Sequence, residues 1–273
     1  MRRLLIRPGA IGDFIVSLPA MESLRGTYTE VWCAGQNVPL AKFADCTRSI
    51  TGVGLDRVGF LDADDVVARL RSFDSVVSWY GANRAEFRAL MADLGIPVQF
   101  LPALPDGTCH SVDFYNRQAR KLGGQPIRFP KIDVPKSPRT HAVIHPFASA
   151  MAKRAPMELF QRVATGLSEH MPVHWTCGPE ELLPGAVRFE DLHQLAVWLA
   201  SARVFVGNDS GISHLAAAVG TPVAVYFRTS DPRVWAPRGS AVHVMQLPSE
   251  KRPAPPDLWL DTVPGNRRRT GLH

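Results

Sequence analysis

Cysteine is scarce and scattered. Cys33, Cys46, Cys109 and Cys177 form no C-x-x-C pair, which argues against a zinc site or a disulfide framework as the organising principle, and a reducing cytoplasm fits this usage best. Long hydrophobic runs are missing as well. No stretch approaches the ~18 apolar residues that a membrane-spanning helix needs. Leu4-Leu5-Ile6 follows two arginines as a signal peptide would, but Arg7, Pro8, Gly9, Gly12 and Asp13 interrupt it at once. Any contact with a membrane is then from its surface. No aromatic-rich basic motif is present, which makes nucleic acid a poor partner. A G-x-G-x-x-G loop followed ~20 positions later by an acidic residue is also lacking, and with it the mark of a dinucleotide-dependent oxidoreductase or epimerase.

What the chain does have is enough apolar residues, 45% of 273, to fill the cores of two ordinary domains. Its formal charge of +6 favours anionic partners, a phosphorylated substrate or an anionic membrane face. The cations are spread over the chain apart from Arg267-Arg268-Arg269. Strand-like and helix-like segments alternate: Arg3 to Arg7, Glu30 to Cys33, Ser75 to Tyr80 and Val98 to Leu101 read as strands. Phe14 to Arg25, Asp64 to Arg71, Arg84 to Leu94 and Val112 to Leu122 read as the helices between and after them. From Gly123 to Thr140, glycines and prolines interrupt any regular element. The alternation then restarts: strands at Ala142 to His145, Val173 to Cys177 and from Val204, helices at Met157 to Leu167 and Leu192 to Ala202. This predicts an α/β protein of two Rossmann-like domains with mostly parallel sheets, residues 1–135 and 136–273, the second ending past Pro248 in an irregular tail. The cleft between two such halves is the default ligand site.

Four loops at strand ends carry the chemistry. Val204 to Phe227 reads as strand, Asn-Asp-Ser-Gly turn, alanine-rich helix and strand, so the turn lies where open α/β sheets bind ligands. Asp209 or Ser210 can cap that helix, Gly211 lets a ligand approach the backbone, and free N–H groups there attract phosphate. His214 follows Ser210 by four positions, on the same helix face. Taken alone, the turn reads more readily as a plain cap and His214 as a structural histidine. Near the start, Gly9 and Gly12 permit a tight loop before Asp13, which either serves a ligand or merely stabilises the first helical turn. The loop His145 to Pro156 offers Ser149 and Lys153 to a phosphate, and Glu180 in Gly178-Pro179-Glu180-Glu181 could accept from ribose hydroxyls. Taken singly, an exposed lysine and a solvated acidic turn explain the last two.

Together the four loops resemble glycosyltransferase family 9, the ADP-heptose:lipopolysaccharide heptosyltransferases. Arg7-Pro8-Gly9-Ala10-Ile11-Gly12-Asp13 matches R-x-G-A-x-G-D, and Gly207 to Pro222 matches G-N-D-S-G-x-x-H-L-A-A-A-x-G-T-P almost without gaps. The order of motifs runs on to Ser230-Asp231-Pro232 and Trp235-Ala236-Pro237. Phe147 stands where the family usually has glycine and Ala155 where it has tryptophan, and the chain is short between Glu181 and Leu192.

The resemblance implies a GT-B fold, two facing Rossmann-like domains with the acceptor on the first and the nucleotide sugar on the second, and inverting, metal-independent transfer of a sugar from a nucleotide diphosphate to a bacterial cell-surface glycan or lipid. The sugar it implies is heptose, the nucleotide ADP as substrate and not as cofactor, the location the cytoplasm or the cytoplasmic face of the inner membrane. It makes Asp13 the general base. Ser149, Lys153, Ser210 and Gly211 hold the diphosphate, Asp209 contacts donor phosphate or sugar, Glu180 binds the nucleoside, and His214 supports the diphosphate loop. The competing reading is a nucleotide-sugar binding or assembly protein whose site no longer catalyses.

Overall fold

The computed structural model describes residues 1–59 and 63–248, which form two compact units. The first is Met1–Asp133 with Asp191–Ala196; the second is Val134–Glu190 with the described residues from Val197 onward. The tail past Pro248 and Arg267-Arg268-Arg269 lie outside the described residues.

The first unit runs β1 (Arg2–Arg7), α1 (Ile11–Ser23), β2 (Tyr28–Cys33), β3 (Cys46–Ser49), α2 (Ile50–Val53), α3 (Asp64–Arg71), β4 (Ser75–Ser78), α4 (Ala85–Asp93), β5 (Val98–Phe100) and α5 (Ser111–Lys121). Its strands are all parallel, in the order β3-β2-β1-β4-β5. The central β1 is covered on both faces, which is why Leu4, Leu5 and Ile6 read as a continuous apolar run and not as an alternation. On one face Leu4 and Ile6 join Trp32, Val66, Leu70, Phe73 and Phe87 in the core. Glu30 is buried among these groups because its carboxylate is fully engaged: Trp32 Nε1 donates to it at 2.7 Å, Arg48 Nε at 3.0 Å, and Arg69 through Nε at 3.1 Å and Nη2 at 3.0 Å.

The second unit runs β6 (His141–His145), α6 (Met157–Ser168), β7 (Val173–Trp175), α7 (Leu192–Ala200, whose residues up to Ala196 group with the first unit), β8 (Ala202–Asn208), α8 (Gly211–Ala218), β9 (Val223–Phe227), α9 (Pro232–Trp235) and β10 (Val242–Gln246). Its sheet is parallel throughout, in the order β10-β9-β8-β6-β7. Ala142, Ile144, Phe160, Val163, Val204, Val206 and Tyr226 fill one face of it.

Both orders reverse direction next to their first strand: between β1 and β4 in one sheet, between β6 and β8 in the other. At such a switch point the flanking loops leave in opposite directions and open a crevice at the carboxyl ends of the strands. The loops after β1, β6 and β8 are those the motifs occupy.

Several elements differ from the sequence reading, these three most. The first helix begins at Ile11, not Phe14, so Gly12 lies in its first turn and not in the loop. Strands β3 and β10 were not read, since Cys46-Thr47-Arg48-Ser49 has no apolar alternation and β10 follows the turn-forming Pro237, Gly239 and Ser240. Both are edge strands, where burial dictates sequence least. Among the described residues no helix is long and apolar enough to cross a membrane.

Candidate functional site

In the first unit the β1–α1 loop is shaped from within by a buried cation. Arg7 is 2% exposed. It donates to Ser17 Oγ at 3.1 Å, Pro8 O at 2.9 Å, Asp13 O at 3.0 Å and Tyr115 Oη at 2.8 Å, with its guanidinium 4.9 Å from the Tyr115 ring centre. Burial pulls the Arg7 pKa below its ordinary value, against the pull of Tyr115 and Asp13. Burial also pushes the Tyr115 hydroxyl up to about 12, so it stays a neutral partner.

Gly9 completes the turn at φ +122°, a conformation side chains avoid, and a Cβ there would lie 3.1 Å from Asp13 Cβ. Asn37 Nδ2 holds the Gly9 carbonyl at 3.1 Å. The result is a fixed loop that delivers Asp13 in the first turn of α1. Its half-buried carboxylate accepts no hydrogen bond among the described residues. A carboxylate so placed is available to take a proton from a ligand hydroxyl.

In the second unit the site is built on the end of β8. Asn208 is fully buried, and its amide ties down both ends of the β6–α6 loop: Nδ2 donates to Pro146 O at 2.7 Å, and Oδ1 accepts from Ala155 N at 2.8 Å. Ser213 Oγ closes the turn by donating to Asn208 O at 2.5 Å. The loop between those ties carries Lys153, whose Nζ donates to Asp209 Oδ2 at 2.7 Å. Asp209 is 5% exposed, and Ser230 Oγ, from the loop after β9, donates to the same Oδ2. Three strand-end loops therefore converge on one carboxylate.

This arrangement corrects the expected helix cap. Neither Asp209 nor Ser210 caps α8: Ser210 occupies the N-cap position without a side-chain bond to the helix, its Oγ lying 3.5 Å from Ser213 Oγ. Lys153 and Ser230 offer Asp209 a charged and a neutral donor from outside the turn, and these prevail over the local N–H groups. The first-turn N–H groups of α8 are thus left without a side-chain cap, beside a lysine, and Gly211 adds no side chain there.

The departures at Phe147 and Ala155 have a visible consequence. The Phe147 ring faces the Arg154 guanidinium at 5.2 Å and meets His145 edge-on at 6.0 Å, while Arg154 Nε donates to Ala148 O at 2.8 Å. Arg228 Nη1 donates to Arg154 O at 2.8 Å. Packing and backbone ties thus hold the lysine loop in place without the family's tryptophan.

Of the other residues singled out from the sequence, Ser149 and Glu180 are exposed, and His214 is buried on α8. The neighbouring Glu181 is the engaged one. It accepts from Gly178 N at 2.6 Å and lies 3.4 Å from His145 Nε2; burial raises its pKa, but His145 and the Gly178 amide outweigh this and the net shift is downward. Asn208, Ser230, Glu181 and Arg7 were not assigned roles from the sequence. Their partners lie 62, 21, 36 and 108 positions away for Pro146, Asp209, His145 and Tyr115, respectively, beyond any local pattern. No group of three or more His, Cys, Asp or Glu among the described residues is placed to hold a metal ion.

The family model described as glycosyltransferase family 9 (heptosyltransferase) matches residues 111–255, more than half of the chain. No curated protein matches the sequence. Among solved structures, the family 9 glycosyl transferase from Veillonella parvula is 16% identical, with a TM-score of 0.71 over 90% of this chain and 86% of its own. E. coli ADP-heptose lps heptosyltransferase II is 18% identical, with a TM-score of 0.69 over 90% of this chain and 91% of its own. E. coli heptosyltransferase WaaC, solved with ADP, is 17% identical, with a TM-score of 0.64 over 91% and 94%. These likenesses show the fold, that of the GT-B heptosyltransferases, and the family match covers the loops just described in the second unit: the chain is a glycosyltransferase and belongs to family 9.

Proposed function

We propose that the protein transfers a sugar, heptose, from an ADP-linked donor to a cell-surface glycan or glycolipid acceptor, with inversion and without a metal, on the cytoplasmic side of the membrane. The observation that carries this reading is the Lys153–Asp209 pair beside the uncapped start of α8, at the switch point of the second sheet. A diphosphate needs a cation and free N–H donors, and the sugar attached to it needs a hydrogen-bond acceptor.

In this mechanism Asp13 takes the proton from the acceptor hydroxyl as its oxygen attacks the anomeric carbon. The bond from that carbon to the diphosphate oxygen breaks in the same displacement, and the configuration inverts. Charge then grows on the leaving diphosphate, where Lys153 and the N–H groups at Ser210 and Gly211 stabilise it. Asp209 accepts from the donor sugar. Ser149 joins Lys153 in holding the diphosphate, His214 supports the diphosphate loop, and Glu180 reaches the nucleoside.

The test is thermal unfolding of the protein against ADP-, UDP-, GDP- and dTDP-linked sugars, with Asp209→Ala as control. At about 100 times its dissociation constant the donor adds roughly 2.7 kcal/mol. That corresponds to a rise of about 5–10 °C in the melting temperature. A rise with an ADP-linked sugar, smaller in Asp209→Ala, is expected; a flat response to the whole panel would refute the donor assignment.

A further inference from the structure

The segment Arg228-Thr229-Ser230-Asp231 lies in the motif region but has no part in the chemistry above, and two of its side chains reach back into the site. Its far end is anchored: Asp231 caps α9 by accepting from Arg233 N at 2.9 Å, with Pro232 opening the helix. From that base Ser230 Oγ donates to Asp209 Oδ2, and Arg228 Nη1 donates to the carbonyl of Arg154, the residue after Lys153. One short segment thus touches both members of the Lys153–Asp209 pair or their immediate support.

We propose that Ser230 is a positioning residue for the donor sugar, acting through Asp209, and that Arg228 steadies the lysine loop from the same arm. The argument is geometric. Rotation of a carboxylate about its last bond is soft, and lysine, a point charge on a flexible stem, does not by itself fix the carboxylate plane. A second donor from a separately anchored loop does. Both donors fall on Oδ2, and Oδ1 accepts no hydrogen bond among the described residues. The clamp therefore presents Oδ1 in a set direction, as an acceptor for a sugar hydroxyl. The inference rests on the reading of this unit as the donor site.

It is tested by calorimetric titration of the full chain with ADP and with ADP-heptose, comparing wild type, Ser230→Ala, Ser230→Thr, Asp209→Ala and the Ser230→Ala/Asp209→Ala double variant. Ser230→Ala is expected to weaken ADP-heptose binding about tenfold while changing ADP binding less than about twofold, as for loss of one hydrogen bond to a charged group. Ser230→Thr, which keeps the hydroxyl, restores the affinity. In the Asp209→Ala background Ser230→Ala has no further effect. Equal losses for ADP and ADP-heptose, or additive losses in the double variant, would overturn the positioning role while leaving the donor site intact. A wild-type protein that binds neither compound overturns the donor reading, and the positioning role with it.

Discussion

Asn208 is the side chain on which the second unit's site depends most, and replacing it gives the sharpest test of the geometry. Asn208→Ala deletes two hydrogen bonds at a fully buried position and leaves the buried Pro146 carbonyl and Ala155 N–H without their partner. Each buried group left unsatisfied costs about 1–3 kcal/mol. Partial relaxation of the loop keeps the sum near the lower end, about 3 kcal/mol. In a chain of this size that lowers a melting transition by about 6–12 °C. Asn208→Asp is the informative companion. It keeps an acceptor for Ala155 N but turns a charged oxygen toward Pro146 O, so at neutral pH it should be at least as damaging as alanine. Differential scanning calorimetry is the suitable assay, because the two units need not melt together. If both variants melt within about 2 °C of wild type, the amide is not the staple described, and the placement of Lys153 must rest on other contacts.

The remaining predictions concern the first unit. Asp13→Ala should lower kcat by about 10²–10⁴-fold, as expected for loss of a general base, while leaving donor affinity within about twofold; loss of donor binding with the fold intact would show that Asp13 does not play that part. Glu30 is an acid-sensitive group of the first unit: burial raises its pKa, but the hydrogen bonds from Arg69 and Trp32 outweigh burial and hold it below its ordinary 4.5. A depressed folded-state value means the stabilisation is present above 4.5 and is lost as pH falls through that lower value. Glu30→Gln should therefore be less stable at neutral pH and show a shallower loss of melting temperature between about pH 4.5 and 3 than wild type. An unchanged slope in the variant would assign the acid sensitivity to other carboxylates.

The alternation of elements was legible because parallel strands buried on both faces must be apolar throughout, as in Leu4-Leu5-Ile6 and Val204 to Val206, and the helices between them must show one apolar face. The positions of the loops were legible for the same reason: a motif that interrupts an apolar run marks a strand's end. Partners were not. The cap expected of Asp209 follows from local preference, yet two donors from other loops claim its carboxylate. Between Glu180 and Glu181 nothing local distinguishes the engaged residue; His145, at the end of a neighbouring strand, does. Arg7 read as one letter of a motif, and only the fold reveals it as a buried brace tied to α5 through Tyr115.

Among the described residues neither sheet borrows a strand from the other: the strands of the first end at Phe100 and those of the second begin at His141. Between them, residues 122–140 contain no helix or strand. A crossover placed there joins the first half of one family member to the second half of another with every described strand ladder preserved, while Asp191–Ala196, which groups with the first unit, comes from the second parent. With the acceptor on the first unit, as the family resemblance implies, and the donor on the second, as proposed, acceptor and donor preference become separable traits, open to recombination one at a time.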